Sequence, residues 1–135
     1  MKPPRILVVD DDEESRRALA AVLSPACRIV EASNGREALG LLRDEKPRLM
    51  LLDLGLPGMG GLEVLARVRR IAPDIPVVML TADADIGSAV RALNQGACAY
   101  FTKPYDPVSL REEIARVLAP AADAGDPPWQ VRGLG

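Results

Sequence analysis

The sequence contains no histidine, and aromatic residues make up only 3% of its 135 residues. Without an imidazole, the chain cannot supply a Ser-His-Asp or Cys-His nucleophile system, and it cannot bind a metal through histidine. Its two cysteines, Cys27 and Cys98, lie far apart and form no CxxC pair, which argues against a disulfide scaffold or a zinc site. The 17 basic and 19 acidic residues give a net charge of −2, so the composition predicts no nucleic-acid or membrane partner.

Long apolar runs are absent as well. No run approaches the roughly 20 residues that a membrane helix needs, and the first residues do not have the pattern of a signal peptide. We therefore expect a soluble protein with a cytoplasmic location. The length, with 48% apolar residues, is enough for one domain with its own core. Hydrophobic periodicity ends before Pro120, so residues 1–119 are predicted to form the domain, and residues 120–135 a flexible tail or a truncated linker to an output domain.

Short apolar runs alternate five times with longer amphipathic stretches. The runs favour strands at 6–9, 29–30, 49–52, 77–80 and 99–101, and the amphipathic stretches favour helices at 13–23, 37–43, 62–71, 86–95 and 107–118. Five successive βα units with mostly apolar strands predict an α/β fold with a five-stranded parallel sheet and helices on both faces. The expected architecture is the flavodoxin-like, doubly wound (βα)5 fold, with strand order 2-1-3-4-5.

Chemically active side chains follow four of the predicted strands. Strand 1 is followed by Asp10, Asp11 and Asp12, strand 3 by Asp53, strand 4 by Thr81 and strand 5 by Lys103. In an open parallel sheet, ligands bind outside the carboxyl ends of the strands, near the point where the strand order reverses. Strands 1 and 3 flank that point, so the sequence predicts that their carboxylates converge.

Converging carboxylates repel one another, and the repulsion must be offset. Lys103 supplies one positive charge, and Mg²⁺, a hard cation that prefers oxygen ligands, is the natural second. A carboxylate, Mg²⁺, a lysine and a hydroxyl around one point form a site for phosphoryl transfer to the carboxylate. Asp53 is the best nucleophile candidate because it ends its strand alone, before a Gly-Pro loop, whereas the adjacent Asp10 and Asp11 suit metal binding.

Taken singly, these residues also fit structural roles. The aspartates after strand 1 could cap a helix, Asp53 could be a turn residue, Thr81 a strand residue, and Lys103 part of a solvated loop. Their joint placement at four strand ends favours the phosphoryl-transfer interpretation.

Four segments together resemble the receiver domain of two-component response regulators, of the chemotaxis-regulator type. The segments are ILVVDD at 6–11, LDLGLPGMGG at 52–61, LTA at 80–82 and GACAYFTKPY at 96–105. The resemblance covers roughly residues 5–119 and implies a receiver domain that accepts a phosphoryl group without being an enzyme. It implies phosphorylation of Asp53 by a histidine kinase, and Mg²⁺ binding by Asp10, Asp11, Asp53 and the backbone carbonyl of Gly55.

The same resemblance assigns roles to the residues that respond to phosphorylation. Thr81 matches the switch hydroxyl, Lys103 the lysine that pairs with the phosphoryl group, and Tyr100 the aromatic residue that swings inward. Pro104 matches a cis peptide site, and Asp83 is a candidate for orienting the water that hydrolyses the phosphoryl group. The implied partners are a sensor histidine kinase or phosphotransfer protein. The implied signalling face is helix 4, strand 5 and helix 5, which is also the candidate surface for a homodimer.

Two alternatives remain open. A haloacid-dehalogenase-like phosphatase also uses an aspartate nucleophile, a hydroxyl, a lysine and Mg²⁺, and Asp10 and Asp12 nominally match its motif. That alternative leaves Asp53 without a role, and the sequence has no segment that could form the cap of such a phosphatase. A receiver-like module that docks without being phosphorylated is the second alternative. Flavin binding is disfavoured because no Gly- and hydroxyl-rich loop follows strand 1.

Overall fold

The chain folds as strictly alternating strands and helices. The computed structural model describes residues 2–119, and the predicted tail at 120–135 lies outside the described residues. The strands are β1 (Arg5–Val9), β2 (Arg28–Ala32), β3 (Leu49–Leu52), β4 (Val77–Thr81) and β5 (Ala99–Thr102). The helices are α1 (Glu13–Leu23), α2 (Gly35–Glu45), α3 (Gly61–Ile71), α4 (Ile86–Asn94) and α5 (Pro107–Leu118). No helix among these residues is both long and apolar enough to span a membrane.

The five strands form one parallel sheet in the order β2-β1-β3-β4-β5. This confirms the predicted doubly wound α/β fold. In the central pair, Val9 lies beside Leu52, so the residues that follow them leave the sheet at the same edge. At the same ends of β4 and β5, Thr81 pairs with Thr102. Strand register alone therefore brings Asp10, Asp53, Thr81 and Lys103 to one edge of the sheet.

Each face of the sheet is covered by its own apolar cluster, because successive side chains of a strand point to opposite faces. One face packs mainly against α2, α3 and α4, through Leu7, Val9, Met50, Leu52, Val77, Met79, Ala38, Leu42, Val64, Leu65, Val68 and Ala92. The other packs against α1 and α5, through Ile6, Val8, Leu49, Leu51, Val78, Leu80, Leu19, Leu23, Leu110 and Ile114. The central strands are thus buried on both faces, which holds the residues at their ends rigidly.

The helix starts follow from short polar side chains that cap them. Asp12, Asn34, Asp85 and Asp106 each accept a backbone hydrogen bond from the first turn of the helix that follows. α2 begins earlier than the sequence periodicity predicts because Asn34 caps it by accepting from the Glu37 N–H. The structure also has cis peptides at Ser24–Pro25 and Lys103–Pro104, the second at the position that the resemblance implied.

Gly61, the first residue of α3, allows this helix to approach the end of β3. A Cβ at this position would stand 2.5 Å from the Leu54 Cα and nearer still to the Asp53 carbonyl oxygen, and both are backbone atoms. We expect Gly61→Ala to lower the free energy of unfolding by about 2 kcal/mol or more, because the backbone that carries Asp53 would have to shift. Denaturant unfolding monitored by circular dichroism measures the change.

Gly40, within α2, is the matched control for that substitution. A Cβ there meets nothing within 4 Å, so Gly40→Ala should raise the free energy of unfolding by about 0.5–1 kcal/mol through helix propensity alone. Equal effects of the two alanines would show that close packing at Gly61 is not the cause.

Candidate functional site

Three carboxylates meet where β1 and β3 end. Asp10 and Asp11 follow β1, Asp53 follows β3, and one oxygen from each lies within 4.8 Å of the others. Asp10 is 3% exposed and Asp53 is 8% exposed, whereas Asp11 is on the surface. The pocket is therefore a partly buried cluster of like charges that opens to solvent on the Asp11 side.

Backbone hydrogen bonds fix the two buried aspartates. The Asp10 N–H donates to the Ala32 carbonyl at 3.1 Å, and the Asp53 N–H donates to the Val9 carbonyl at 3.0 Å. Their carboxylates are oriented in the same way, since Asp10 Oδ1 accepts from the Asp12 N–H at 2.9 Å and Asp53 Oδ1 accepts from the Gly55 N–H at 3.0 Å. In each side chain the second oxygen, Oδ2, faces the remaining charge of the site.

That charge is the ammonium of Lys103, which lies between the buried aspartates. Its Nζ donates to Asp10 Oδ2 at 2.5 Å and to Asp53 Oδ2 at 3.4 Å. Burial acts to lower the pKa of Lys103, but the hydrogen bond and charge of Asp10, followed by those of Asp53, outweigh it, and the pKa is raised. The ammonium is therefore charged at neutral pH and closer to Asp10 than to Asp53.

Ser15 is a third partner of this lysine, and the sequence pattern did not point to it. Its Oγ lies 3.3 Å from Lys103 Nζ and donates to Asp12 Oδ2 at 3.1 Å. Ser15 is in the first turn of α1, three residues after Asp12. The spacing signals a helix start, but it does not reveal that the hydroxyl also contacts the lysine that follows β5.

Thr81, at the end of β4, and Tyr100, in β5, are hydrogen-bonded to the loop between β4 and α4. Thr81 is 2% exposed, and its Oγ accepts from the Asp83 N–H at 3.2 Å. The Tyr100 hydroxyl donates to the Asp83 carbonyl at 2.6 Å. Burial, followed by the charges of Asp83, Asp85 and Asp53, raises the pKa of Tyr100, so the phenol keeps the proton that it donates.

Asp12 and Asp83 are each engaged with a helix start. Asp12 accepts from the Glu14 N–H at 3.3 Å and from Ser15 at 3.1 Å, which makes it the cap of α1. Asp83 accepts from the Asp85 N–H at 2.8 Å and from the Ser88 hydroxyl at 2.9 Å. The capping role of Asp12 weakens the phosphatase alternative, which needs Asp12 beside Asp10 as a catalytic group.

The donor set of the pocket fits a hard divalent cation. Three carboxylates can each offer an oxygen, and hard cations such as Mg²⁺ take carboxylate oxygens, carbonyls and water in preference to nitrogen or sulfur. Mg²⁺ usually takes only one or two carboxylates and keeps several waters, which suits a pocket that is open on the Asp11 side.

Comparison with known proteins gives a consistent result. A family model for the response regulator receiver domain matches residues 6–115. The chain is 40% identical over 132 residues to the DNA-binding response regulator MtrA of Mycolicibacterium smegmatis, covering 97% of this chain and 56% of that protein. It is 38% identical over 136 residues to the phosphate regulon transcriptional regulatory protein PhoB of Pseudomonas aeruginosa, covering 96% and 58% respectively.

A solved structure shares the fold. The CheY-like response regulator receiver domain protein from Methanospirillum hungatei JF-1 superposes with a TM-score of 0.81 at 33% identity, over 86% of this chain and 94% of that chain. The chain spans 29% to 58% of the length of the curated relatives it matches.

The fold and its acidic pocket define a doubly wound α/β signalling domain. The chain belongs to the response regulator receiver domain family of two-component systems. Receiver domains of this family interact with histidine kinases or phosphotransfer proteins and typically use Mg²⁺ at an acidic pocket.

Proposed function

We propose that this chain accepts a phosphoryl group on Asp53. One observation carries the proposal: the Asp53 carboxylate is nearly buried and shares a pocket with two other aspartates and a lysine ammonium. A carboxylate used only as a turn residue would have no need of that pocket. The Gly55 N–H holds Oδ1, so Oδ2 is the oxygen that remains to attack phosphorus.

Apart from the Mg²⁺ that the acidic pocket is proposed to hold, the transfer needs only the donor and this chain. An Asp53 oxygen forms a bond to phosphorus while the bond from phosphorus to the donor breaks, so that a phosphohistidine returns to free imidazole and acetyl phosphate releases acetate. Lys103 already touches Asp53 and needs only a small movement to pair with a phosphoryl oxygen. This chain has no histidine, so the phosphohistidine must come from a sensor histidine kinase or a phosphotransfer protein.

Asp10, Asp11, Asp53 and the Gly55 carbonyl are the groups that we propose to hold Mg²⁺. When bound, the cation supplies positive charge for the phosphoryl oxygens. Asp10 is engaged with Lys103 at 2.5 Å, so the lysine has to share or yield that oxygen. The chain then acts as an acceptor that assists its own phosphorylation and dephosphorylation, without turning over a separate substrate.

The response to phosphorylation is proposed to run through Thr81 and Tyr100 to α4, β5 and α5. Thr81 turns its hydroxyl toward the phosphoryl group and Tyr100 moves inward. The surface formed by α4, β5 and α5 then changes. Exposed apolar side chains lie on these elements, at Ile86, Val90, Leu93 and Val108, which supports the use of this face for partner binding, including a homodimer. The two free cysteines suit the reducing cytoplasm that we propose as the location.

Labelling of the wild-type chain tests the proposed function. Incubation with acetyl phosphate and Mg²⁺ should give one acid-stable, base-labile phosphoryl group, and borohydride reduction followed by peptide mapping should place it on Asp53. A chelator should remove the labelling. A label on Asp10, together with turnover of a small phosphate ester, would instead support the phosphatase, and no Mg²⁺-dependent labelling would support the docking module.

A further inference from the structure

The backbone and side chain of Asp83 connect three different parts of the molecule. Its N–H donates to Thr81 Oγ at 3.2 Å and its carbonyl accepts from the Tyr100 hydroxyl at 2.6 Å. Its carboxylate accepts from the Asp85 N–H at 2.8 Å and from the Ser88 hydroxyl at 2.9 Å. One residue therefore joins the two side chains that respond to phosphorylation to the first turn of α4.

The Ser88–Asp83 hydrogen bond is not needed to cap α4. The helix already has its cap in Asp85, whose Oδ2 accepts from the Ser88 N–H at 3.0 Å. The Ser88 hydroxyl has a single proton, and Asp83 Oδ2 at 2.9 Å is a nearer acceptor than Asp85 Oδ2 at 3.4 Å. Ser88 is 7% exposed, so this bond is sheltered although the Asp83 side chain is on the surface.

The Asp83 carboxylate is ionised at neutral pH and accepts strongly. The Asp85 N–H is the largest cause of its lowered pKa, followed by the Ser88 hydroxyl, with a weaker contribution from the charge of Arg91. Beside it, an open cleft of about 240 Å³ is lined by Leu54 and Gly60 from the loop after β3 and by Asp83 and Ser88. The loop after β4 is therefore not packed tightly against the loop after β3.

We propose that the Asp83–Ser88 hydrogen bond is a latch that holds Thr81, Tyr100 and α4 in the arrangement of the unphosphorylated chain. The inference rests on the proposed acceptor role of Asp53. While the latch is closed, the Asp83 N–H holds Thr81 Oγ in the loop, and turning that hydroxyl toward a phosphoryl group requires the loop to rearrange. Ser88 is a positioning residue, which acts on the reaction only through Asp83 and Thr81.

Ser88→Ala opens the latch and leaves the Asp85 cap in place. We expect Mg²⁺-dependent labelling by acetyl phosphate to become about threefold to tenfold faster, which corresponds to the loss of one net hydrogen bond that opposes the change. The matched control is Ser109→Ala. Ser109 donates to the α5 cap Asp106 at 2.7 Å, so this variant loses the same kind of contact at a helix start that does not touch Asp83.

A second readout follows Tyr100 without any phosphorylation. The chain has two tyrosines, so 3-fluorotyrosine labelling gives two ¹⁹F signals, which Tyr105→Phe assigns. In unphosphorylated Ser88→Ala, the Tyr100 signal should move toward its position in the wild-type chain treated with beryllium trifluoride and Mg²⁺. In Ser109→Ala it should not move. Asp83→Ala, a second variant that breaks the latch, should behave as Ser88→Ala does.

The outcomes separate the latch from the acceptor role. Labelling rates and Tyr100 signals that are equal in Ser88→Ala and Ser109→Ala would overturn the latch. Slower labelling in Ser88→Ala would overturn it as well. If the wild-type chain is not labelled but Tyr100 shifts only in the two latch variants, the acceptor role fails, and the part of the latch that does not depend on phosphorylation, its hold on Tyr100, is supported. A longer phosphoryl lifetime in Asp83→Ala, with no change in Ser88→Ala, would assign Asp83 to orienting water and reject the latch.

Discussion

Asp53→Asn should reduce phosphoryl labelling by acetyl phosphate to background. The substitution keeps the size of the side chain, and the amide oxygen can still accept from the Gly55 N–H that holds Oδ1 at 3.0 Å. An amide oxygen is a far weaker nucleophile than a carboxylate, so the acyl phosphate cannot form. The measurement is incorporation of ³²P from labelled acetyl phosphate in the presence of Mg²⁺.

The Asp53→Asn variant should stay folded, and its free energy of unfolding without Mg²⁺ should rise. Three carboxylates lie within 4.8 Å of one another, and removing one charge relieves part of their repulsion. A loss of labelling that comes with a lower unfolding temperature would therefore not count in favour of the proposal.

Asp12→Asn is the control that shows whether the loss of labelling is specific to Asp53. Asp12 is next to the pocket but caps α1, and asparagine caps helices about as well as aspartate. Labelling should therefore persist in Asp12→Asn. If it is lost there and retained in Asp53→Asn, Asp53 is not the nucleophile and Asp12 takes part in the reaction, as the phosphatase alternative requires.

The position of these groups could be predicted from the sequence because parallel-sheet topology determines it. Once five βα units are recognised, the order 2-1-3-4-5 places β1 beside β3, and their last residues must leave the sheet together. The apolar runs locate the ends of β1 and β3 at the residues where these strands end in the structure, so Asp10 and Asp53 follow directly. No side-chain detail is needed for that step.

The extent of α2 could not be read from apolar spacing alone. Periodicity begins at Glu37, whereas the helix begins at Gly35. The start of α2 is instead signalled by its capping residues. Asn34 accepts from the Glu37 N–H at 2.8 Å, and the Glu37 carboxylate accepts in return from the Ser33 N–H at 2.6 Å. An Asn followed three residues later by Glu is a variant of the capping box, which marks a helix start.

The contacts of Ser15 and Ser88 had no sequence signal. Each serine follows an aspartate cap by three residues, at Asp12 and Asp85, and so does Ser109 after Asp106. The spacing therefore marks all three as helix starts of the same kind. The partner of Ser15 is Lys103, which follows a strand far along the chain, and the partner of Ser88 is Asp83, which lies outside the three-residue capping pattern. Both contacts depend on the path of the loops, which the spacing does not show.

Lys103→Met should change metal affinity and metal-free stability in opposite directions. In the structure, Lys103 Nζ lies 2.5 Å from Asp10 Oδ2, and we propose that Asp10 also holds Mg²⁺. Removing the ammonium frees that oxygen and removes a positive charge that repels the cation. We expect Mg²⁺ binding to the unphosphorylated chain to tighten by about tenfold or more, measured by isothermal titration calorimetry.

Without Mg²⁺ the same variant should be less stable than the wild-type chain. The Asp10 side chain is 4% exposed and the Lys103 side chain 22% exposed, so methionine leaves a buried carboxylate without its partner. We expect the free energy of unfolding to fall by about 2 kcal/mol. This is less than the cost of removing one partner from a completely buried ion pair, because the lysine is partly solvated. Saturating Mg²⁺ should restore most of it, since binding to the folded chain stabilises that state.

The alkaline limb of the stability curve gives an independent check. The pKa of Lys103 is raised in the folded chain, so its ammonium contributes stability that is fully present below the unfolded pKa of about 10.4 and is lost as pH rises through the folded value. The stability difference between the wild-type chain and Lys103→Met should therefore shrink above about pH 10.4.

Lys2→Met is the matched control, because Lys2 is an exposed lysine that precedes β1 and lies at the opposite edge of the sheet. It makes the same change in net charge and should alter neither Mg²⁺ affinity nor metal-free stability appreciably, since solvent screens a charge so far from the pocket. If both methionine variants bind Mg²⁺ as the wild-type chain does, the lysine and the cation do not compete for Asp10. If both bind it equally more tightly, net charge and not the Lys103–Asp10 contact controls affinity.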